Sequence, residues 1–283
     1  MDDEEGARLD ASLPPVIDAH VHVFPDALFA AIWRWFEKYG WPVRYQLTAP
    51  EVASFLLGRG VERVVCLHYA HKPGMSRSLN AFVAELCKTD ARLVGLATVM
   101  PGEPEAAQIL AEAKALGLRG VKLHCHVQAF APDSDDGMVI FDAAEKLGLP
   151  VVVHAGREPR SPAYPVDTFA VCGADRMSRV LERFGRLRIC VPHLGADEVD
   201  AYVRLLEKHD NLYLDTTMML GRFLTSDVPL DAIAARPERI MYGTDFPNIP
   251  YAWDREIRTL RDAGLREEVL ARVLSGTANE LFG

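Results

Sequence analysis

Short apolar runs rich in β-branched residues recur along the chain and alternate with segments of helical periodicity. Eight such runs are predicted to be strands, at residues 16–22, 62–68, 93–99, 120–126, 151–154, 187–193, 212–215 and 240–245. Between them, apolar residues recur three and four positions apart, as at Val199, Tyr202, Val203 and Leu206. Strands that alternate with helices predict βαβ units and a parallel sheet.

Eight β–α units in a chain of 283 residues predict a (β/α)8 TIM barrel, either regular or distorted. One barrel domain would span residues 1–283, with 1–14 as a polar N-terminal extension. An open doubly wound sheet is the alternative, but the chain has no glycine-rich nucleotide-binding motif. An aromatic-rich insertion follows the first strand, between Asp26 and Trp41. Its apolar stripe fits a helix packed on the barrel, and a lid or a homodimer face is the alternative.

Composition and charge narrow the class of protein. The chain is 49% hydrophobic and 25% charged, and its formal net charge of −9 argues against a broad basic face for nucleic acid. No apolar run is long enough to span a bilayer, and the acidic start lacks the features of a secretory signal. Five scattered cysteines without a C-x-x-C pair indicate free thiols in a reducing compartment. We therefore expect a cytoplasmic protein whose partner is a small molecule, not nucleic acid or a membrane.

An acid and two histidines occupy the first predicted strand, V-I-D-A-H-V-H. Because side chains alternate along a strand, Asp18, His20 and His22 are expected on one face, where two imidazoles can hold a metal ion. Two buried, hydrogen-bonded histidines are the alternative, since H-x-H is a short pattern. Other histidines favour the metal, because they end further predicted strands: His68, His124, His126, His154 and His193. Barrels place catalytic groups at these strand ends.

Four motifs at the strand ends resemble the amidohydrolase superfamily, in the branch that includes aminocarboxymuconate semialdehyde decarboxylase. They are D-A-H-V-H, V-V-V-H-A-G, V-P-H-L-G and Y-G-T-D-F-P, in this order along the chain. The resemblance extends over nearly the whole chain and implies a metal-dependent barrel enzyme. It implies that one divalent metal is bound by His20, His22, His154 and Asp245.

The resemblance also implies chemical roles at this site. Zinc is the expected ion, since imidazole and carboxylate are good zinc ligands, and manganese, iron or cobalt would accept the same set. Asp245 would take the proton of the attacking water, and His193 would lie near the metal and stabilise the oxyanion. Lys122 has three alternative roles: a carboxylated bridge between two metals, an ammonium that binds a substrate carboxylate, or the partner of a buried acid such as Asp215 or Asp245.

Three further residues are predicted to contact substrate. His124 shares the strand of Lys122, Arg157 follows His154 by three positions, and Tyr251 lies in the loop after the last strand. Arg157 would recognise an anionic substrate, with a surface salt bridge as its alternative.

The predicted activity is hydrolysis of a small carbonyl compound, an amide, ester or lactone, by metal-activated water. The alternative is non-oxidative decarboxylation or hydration of a small carboxylic acid at the same mononuclear site. A non-catalytic protein on a relic barrel is disfavoured, because every expected ligand is present.

Overall fold

The computed structural model of the chain describes residues 3–223 and 230–283. Within these residues, eight parallel strands alternate with helices, which confirms the predicted (β/α)8 architecture. The strands are β1 Ile17–His22, β2 Arg63–Leu67, β3 Leu93–Gly95, β4 Val121–His124, β5 Val151–His154, β6 Ile189–Val191, β7 Leu212–Asp215 and β8 Ile240–Met241. Two of them, β5 and β7, have the predicted bounds, and the others are shorter than predicted.

The strands form two parallel sheets that meet at two seams. One sheet has the order β1-β2-β3 and the other β4-β5-β6-β7-β8. Ala97 and Val121 bridge the β3–β4 seam, and Val21 and Phe246 bridge the β8–β1 seam. At the second seam, the His22 N–H donates to the Phe246 carbonyl and the Asp245 N–H donates to the His20 carbonyl, at 2.8 and 2.9 Å.

Helices follow the strands, and most of them cover the outside of the barrel. They are α1 Asp26–Tyr39, α2 Ala49–Gly58, α3 Ser76–Cys87, α4 Ala106–Ala115, α5 Cys125–Gln128, α6 Asp135–Leu147, α7 Thr168–Val171, α8 Ala174–Arg183, α9 Val199–Lys208, α10 Leu230–Ala235, α11 Arg255–Arg261, α12 Glu267–Ala271 and α13 Thr277–Phe282. None of the helices within the described residues has the length and apolarity needed to cross a membrane.

The apolar core has two parts. The larger part lies between the strands and the outer helices, and it includes Val21 and Val23. The smaller part fills the inside of the barrel with residues of most strands and of α13, and it includes Ile17 and Ala19. In a regular strand these four residues would share a face. The pairing of β1 with β2 shifts register between Asp18 and Val21, which explains why they separate.

This irregularity corrects one sequence prediction. Asp18 does not share the face of His20 and His22. Its carboxylate accepts hydrogen bonds from the Thr244 N–H, the Thr244 hydroxyl and the His20 N–H, at 3.2, 2.6 and 3.2 Å. Asp18 therefore fixes the backbone of β1 to the segment after β8.

A second correction concerns the end of β4. The strand stops at His124, and Cys125 begins the short helix α5, so His126 lies on a helical turn and not on the strand. The change of direction begins early because Gln128 accepts the His124 N–H at 2.8 Å and donates to the Val99 carbonyl at 3.0 Å.

The aromatic insertion forms α1. Phe29 is buried and stacks on Trp33, as the helical stripe predicts. Asp26 is the first helical residue and does not cap the helix, because Pro25 occupies the cap position. The N-terminal extension also contacts the barrel: the Gly6 N–H donates to Asp254 at 2.9 Å, and the Trp253 indole donates to the Gly6 carbonyl at 2.9 Å.

Candidate metal centre

The carboxyl ends of the strands open into a cavity of about 760 Å³. Its floor carries most of the predicted site residues: His22, His124, His154, His193 and Asp245. His20 lies below them and is fully buried. The cavity lies where barrels place their reactive groups, because the carboxyl ends of all eight strands meet at one rim.

Three donors converge at the β8–β1 seam. His22 Nε2 lies 2.9 Å from Asp245 Oδ1, and His20 Nε2 lies 3.5 Å from the same oxygen. The ligand atoms of these three side chains all lie within 4.8 Å of one another. Two imidazoles and one carboxylate are a usual ligand set for zinc and related divalent ions.

Asp215 at the end of β7 orients the first of these donors. Its Oδ2 accepts from His20 Nδ1 at 2.9 Å, and its Oδ1 accepts the backbone N–H groups of His193 and Thr217 at 3.1 and 3.2 Å. A carboxylate only accepts hydrogen bonds, so the proton of neutral His20 is on Nδ1. The lone pair of Nε2 therefore points to the place where the donors converge.

The electrostatics keep these donors in the protonation states that a metal requires. Burial lowers the pKa of His20 to about 3 and lowers the pKa of His22, so both imidazoles are neutral at pH 7. Burial alone would raise the pKa of Asp245, but the neighbouring imidazole of His22 outweighs it and lowers the pKa, so Asp245 is a carboxylate. Neutral imidazole and ionised carboxylate are the forms that bind metals.

Two site residues have backbone angles that are uncommon for side chains other than glycine. Asp245 has φ of +69° and His193 has φ of +56°. Such angles persist where the surroundings hold them, and they are concentrated at functional sites. At His193 the hydrogen bond from its N–H to Asp215 and the bond between its Nδ1 and the Thr217 carbonyl, 3.0 Å long, fix the backbone and the ring together.

His154 and His193 face each other across the floor. His193 Nδ1 donates to a carbonyl and His154 Nε2 lies 2.6 Å from Glu158 Oε1, so both of these nitrogens carry hydrogen. If both rings are neutral, the lone pairs of His193 Nε2 and His154 Nδ1 face each other at 3.3 Å. A shared proton or a nearby cation removes this repulsion. The residues therefore fit a divalent ion at the floor.

The structure separates the four predicted ligands into two groups. His154 groups with Glu158 and His193, whereas His20 and His22 group with Asp245. His193 lies between them, with ring centroids 5.7 Å from His20 and 4.6 Å from His154.

Lys122 lies beneath the floor and is fully buried. Its Nζ is 3.2 Å from His20 Nε2. Burial lowers the pKa of Lys122 to about 8, although the carboxylates of Asp215 and Asp245 oppose this shift. Lys122 is not among the residues that line the cavity.

The side of the cavity under the β4 and β5 ends holds a further histidine group. The rings of His124 and His154 stack with centroids 4.0 Å apart, and His126 packs on His154 at 5.0 Å. Ligand nitrogens of all three lie within 4.8 Å of one another. Burial would lower the pKa of His126, but the Cys172 thiol and the Glu158 carboxylate outweigh it and raise the pKa to about 10.

Two predicted substrate contacts lie elsewhere. Arg157 Nη1 donates to Glu198 at 3.1 Å and its Nε donates to the Phe169 carbonyl at 3.1 Å, so its side chain is held away from the cavity. Tyr251 is fully buried and donates its hydroxyl to Glu256 at 2.8 Å. Neither residue is among those that line the cavity. Tyr251 is turned into the protein, whereas Arg157 is partly exposed and paired with Glu198, and their positions in the sequence do not reveal either orientation.

Four residues at the site were not among the predicted ligands, catalytic residues or substrate contacts. Asp215 ends the predicted strand 212–215, so the strand-end rule that selected the histidines would have found it. Glu158 follows Arg157 directly, and the sequence prediction selected the arginine and left out this glutamate. Tyr69 and Tyr164 line the cavity, and their pKa values are raised by burial, so both keep their hydroxyl hydrogens. No signal in the sequence points to Tyr164.

Aromatic side chains form one wall of the cavity. They are Trp35, Phe36, Tyr39, Trp41, Tyr69 and Tyr164. Trp41 is fixed by a hydrogen bond of 2.7 Å from its indole to the Asn248 carbonyl. Trp35 lies 5.4 Å from Tyr164 between ring centroids. The predicted helix α1 therefore both packs on the barrel, through Phe29, and supplies three of these six aromatic side chains.

This fold and this set of donors agree with the sequence family. Residues 17–283 match the family described as Amidohydrolase. The match spans nearly all of the chain, and the protein belongs to the amidohydrolase family. The resemblance drawn from the four strand-end motifs is thereby confirmed.

Solved structures share the fold at low sequence identity. The 5-carboxyvanillate decarboxylase of Sphingomonas paucimobilis is 18% identical with a TM-score of 0.68, covering 95% of this chain and 98% of that one. The enzyme of the same name from Novosphingobium aromaticivorans, complexed with manganese and 4-hydroxy-3-methoxy-5-nitrobenzoic acid, is 16% identical with a TM-score of 0.65, and the match covers 99% of both chains. A probable 2-pyrone-4,6-dicarboxylic acid hydrolase of Acinetobacter baumannii is 17% identical with a TM-score of 0.61, covering 95% and 99%.

Proposed function

We propose that this protein is a metal-dependent hydrolase that cleaves a small amide, ester or lactone. The observation that carries the proposal is the convergence of His20 Nε2, His22 Nε2 and Asp245 Oδ1 at the floor of the cavity. We propose His154 as the fourth ligand, through its Nδ1. Zinc suits this ligand set, and manganese, iron or cobalt would also be accepted.

The bound ion would polarise a carbonyl group and lower the pKa of a coordinated water to about 7. The residues of the chain would do the rest. Asp245 lies beside the donors with one oxygen near both histidines, so its other oxygen can accept the proton of the attacking water. It would then return this proton to the leaving oxygen or nitrogen, so that water adds across the broken bond.

His193 would face the reacting carbonyl from the neighbouring strand end. Its Nδ1–H is already donated to the Thr217 carbonyl, so its Nε2 carries hydrogen only when the ring is protonated. As an imidazolium it would donate to the developing oxyanion.

The aromatic wall supports a flat or partly apolar substrate. Aromatic rings stack on planar groups, and a few polar groups then fix the orientation. The hydroxyls of Tyr69 and Tyr164 are available as donors at this wall. The sequence argument for an anionic substrate loses its main support, because Arg157 is paired with Glu198. Arg160 lines the cavity but forms an ion pair with Asp167.

The test compares the wild type with a His20→Ala, His22→Ala double variant. Metal content is measured by plasma mass spectrometry after removal of free ions, and activity is measured on a panel of lactones, esters and amides. We expect the double variant to lose both the metal of this centre and the activity. His71→Ala serves as the control, because His71 is exposed and lies outside both histidine groups.

Two results would contradict the proposal. The first is a folded double variant that keeps the metal content of the wild type. The second is loss of metal without any loss of hydrolytic activity, which would place the reaction elsewhere.

Decarboxylation of an aromatic carboxylic acid is the second candidate function. The aromatic wall favours it, because it would stack on the ring of such a substrate, and the two 5-carboxyvanillate decarboxylases share this fold. Carbon dioxide release from carboxylated phenols, measured on the same wild-type preparation, separates the two. Release of carbon dioxide without turnover of any ester, lactone or amide would select the decarboxylase.

A further inference from the structure

We propose that the protein binds a second divalent cation, at a site formed by the imidazoles of His124 and His126 and the carboxylate of Glu158. These residues come from the end of β4, from α5 and from the loop after β5. The site lies on the opposite side of His154 from the centre at His20, His22 and Asp245. Neither the ligands of that centre nor its proposed chemistry require it.

Buried nitrogens without partners are the first observation. Both ring nitrogens of His126 are buried and make no hydrogen bond of good geometry, although Glu158 Oε2 lies 3.3 Å from Nδ1, and His124 Nδ1 is buried without a hydrogen bond as well. His126 is fully buried. A buried polar atom left without a partner costs about 1–3 kcal/mol, so three of them in two neighbouring side chains need a reason. A cation that accepts one lone pair from each ring supplies one for two of these nitrogens.

The arrangement of donors is the second observation. Ligand nitrogens of His124, His126 and His154 lie within 4.8 Å of one another. Glu158 Oε2 is 3.3 Å from His126 Nδ1, and Glu158 Oε1 is 2.6 Å from His154 Nε2. One carboxylate therefore contacts both histidine groups. Two imidazoles and a carboxylate are ligands that zinc, manganese and cobalt share.

Glu158 would link the two sites without a bridging lysine. Its Oε1 accepts from His154 and orients that ring toward the first centre, as acids behind metal-binding histidines do. Its Oε2 remains for the second ion. The ion would have to displace the proton that the raised pKa places on His126 in the metal-free protein. Because a neutral imidazole offers one lone pair, His154 can then serve the first centre through Nδ1 while His124 and His126 serve the second.

The site is open toward substrate. His124, His154 and Glu158 line the cavity, and the rings of Tyr69 and Tyr164 pack on His124 and His126 at 4.9 and 5.3 Å between centroids. An ion here would lie beside the aromatic wall. It would give this wall a Lewis-acid group for a carboxylate or carbonyl oxygen of the substrate.

The test is cobalt binding to metal-free protein, followed by visible absorption and by bound equivalents after removal of free ions. We expect two equivalents for the wild type and one for His126→Ala. The His20→Ala, His22→Ala double variant should also bind one, retained at the second site. The control variant His71→Ala should bind two. Glu158→Gln keeps the acceptor for His154 and should weaken the second equivalent by about 10-fold or more.

The outcomes separate this proposal from the proposed function. One equivalent in the wild type, lost in the double variant and kept in His126→Ala, would overturn the second site and leave the first intact. His126 would then be a protonated partner of Glu158. One equivalent that is lost only in His126→Ala would support the second site and overturn the first. If His126→Ala does not fold, unchanged binding of both equivalents in Glu158→Gln would overturn the second site.

Discussion

Replacing Asp215 by asparagine should weaken metal binding without removing a ligand. In the wild type both carboxylate oxygens accept hydrogen bonds, one from His20 Nδ1 and the other from the N–H groups of His193 and Thr217. Asparagine has one acceptor oxygen and one donor nitrogen. Whichever way it points, its NH2 group faces a donor. The less costly arrangement turns the oxygen toward the two backbone groups and the NH2 group toward His20.

This arrangement changes the tautomer of His20. With an NH2 group opposite, Nδ1 becomes the acceptor and the ring hydrogen moves to Nε2. The lone pair that points to the metal is then lost. Changing such an orienting acid typically weakens metal binding by about 10–100-fold, or roughly 1.4–2.8 kcal/mol.

The assay is competition for zinc or manganese between the protein and a chromophoric chelator, at pH 7. Asp133→Asn is the matched control. Like Asp215, Asp133 accepts hydrogen bonds through both carboxylate oxygens, here from two arginines, but it lies outside the cavity. We expect the control to keep wild-type affinity. If folded Asp215→Asn binds the metal of the first centre as tightly as the wild type, the tautomer argument is wrong.

Three further outcomes follow from the structure. Lys122→Met should tighten metal binding by about 5-fold, roughly 1 kcal/mol, because the amine no longer competes for the lone pair of His20 Nε2. Weaker metal binding would instead show that Lys122 is a ligand or a bridge. Arg157→Ala should lower the free energy of unfolding by about 1 kcal/mol, because the hydrogen bonds to Glu198 are lost, and it should leave KM unchanged. A raised KM would show that Arg157 contacts the substrate. Burial would raise the pKa of Asp133, but the two arginines that contact this carboxylate outweigh burial and lower the pKa. The carboxylate therefore stabilises the fold at neutral pH, and this stabilisation is lost as the pH falls through the folded-state pKa. Urea unfolding should therefore separate Asp133→Asn from the wild type at pH 7, and the difference should shrink as the pH falls below the ordinary pKa range of aspartate. A constant difference would contradict this.

The barrel could be predicted because its signal is repeated. Eight apolar runs alternate with helical stripes, and an error in the bounds of one strand leaves the architecture unchanged. The same redundancy led to the candidate site, since histidines end several strands independently. The strand-end rule selected His22, His124, His154, His193 and Asp245, and all five line one cavity.

The details that were missed depend on single backbone irregularities. The register shift in β1 turns Asp18 away from His20, and a strict alternation of faces does not reveal it. The early start of α5 places His126 on a turn, because the Gln128 side chain binds the end of β4. Loop side chains are harder still, since Arg157 is oriented by Glu198, a residue 41 positions away.

The seam between β1 and β8 gives the metal centre a mechanical consequence. His20 and His22 belong to the sheet of three strands, whereas Asp245 follows the last strand of the other sheet. An ion bound by all three would act as a cross-link that holds the ring of strands closed. Its addition should slow amide hydrogen exchange at His22 and Asp245, whose N–H groups span this seam, and leave the Lys122 amide at the opposite seam unchanged. Binding of the ion and closure of the ring of strands would then be coupled, and loss of the ion would loosen the floor of the cavity.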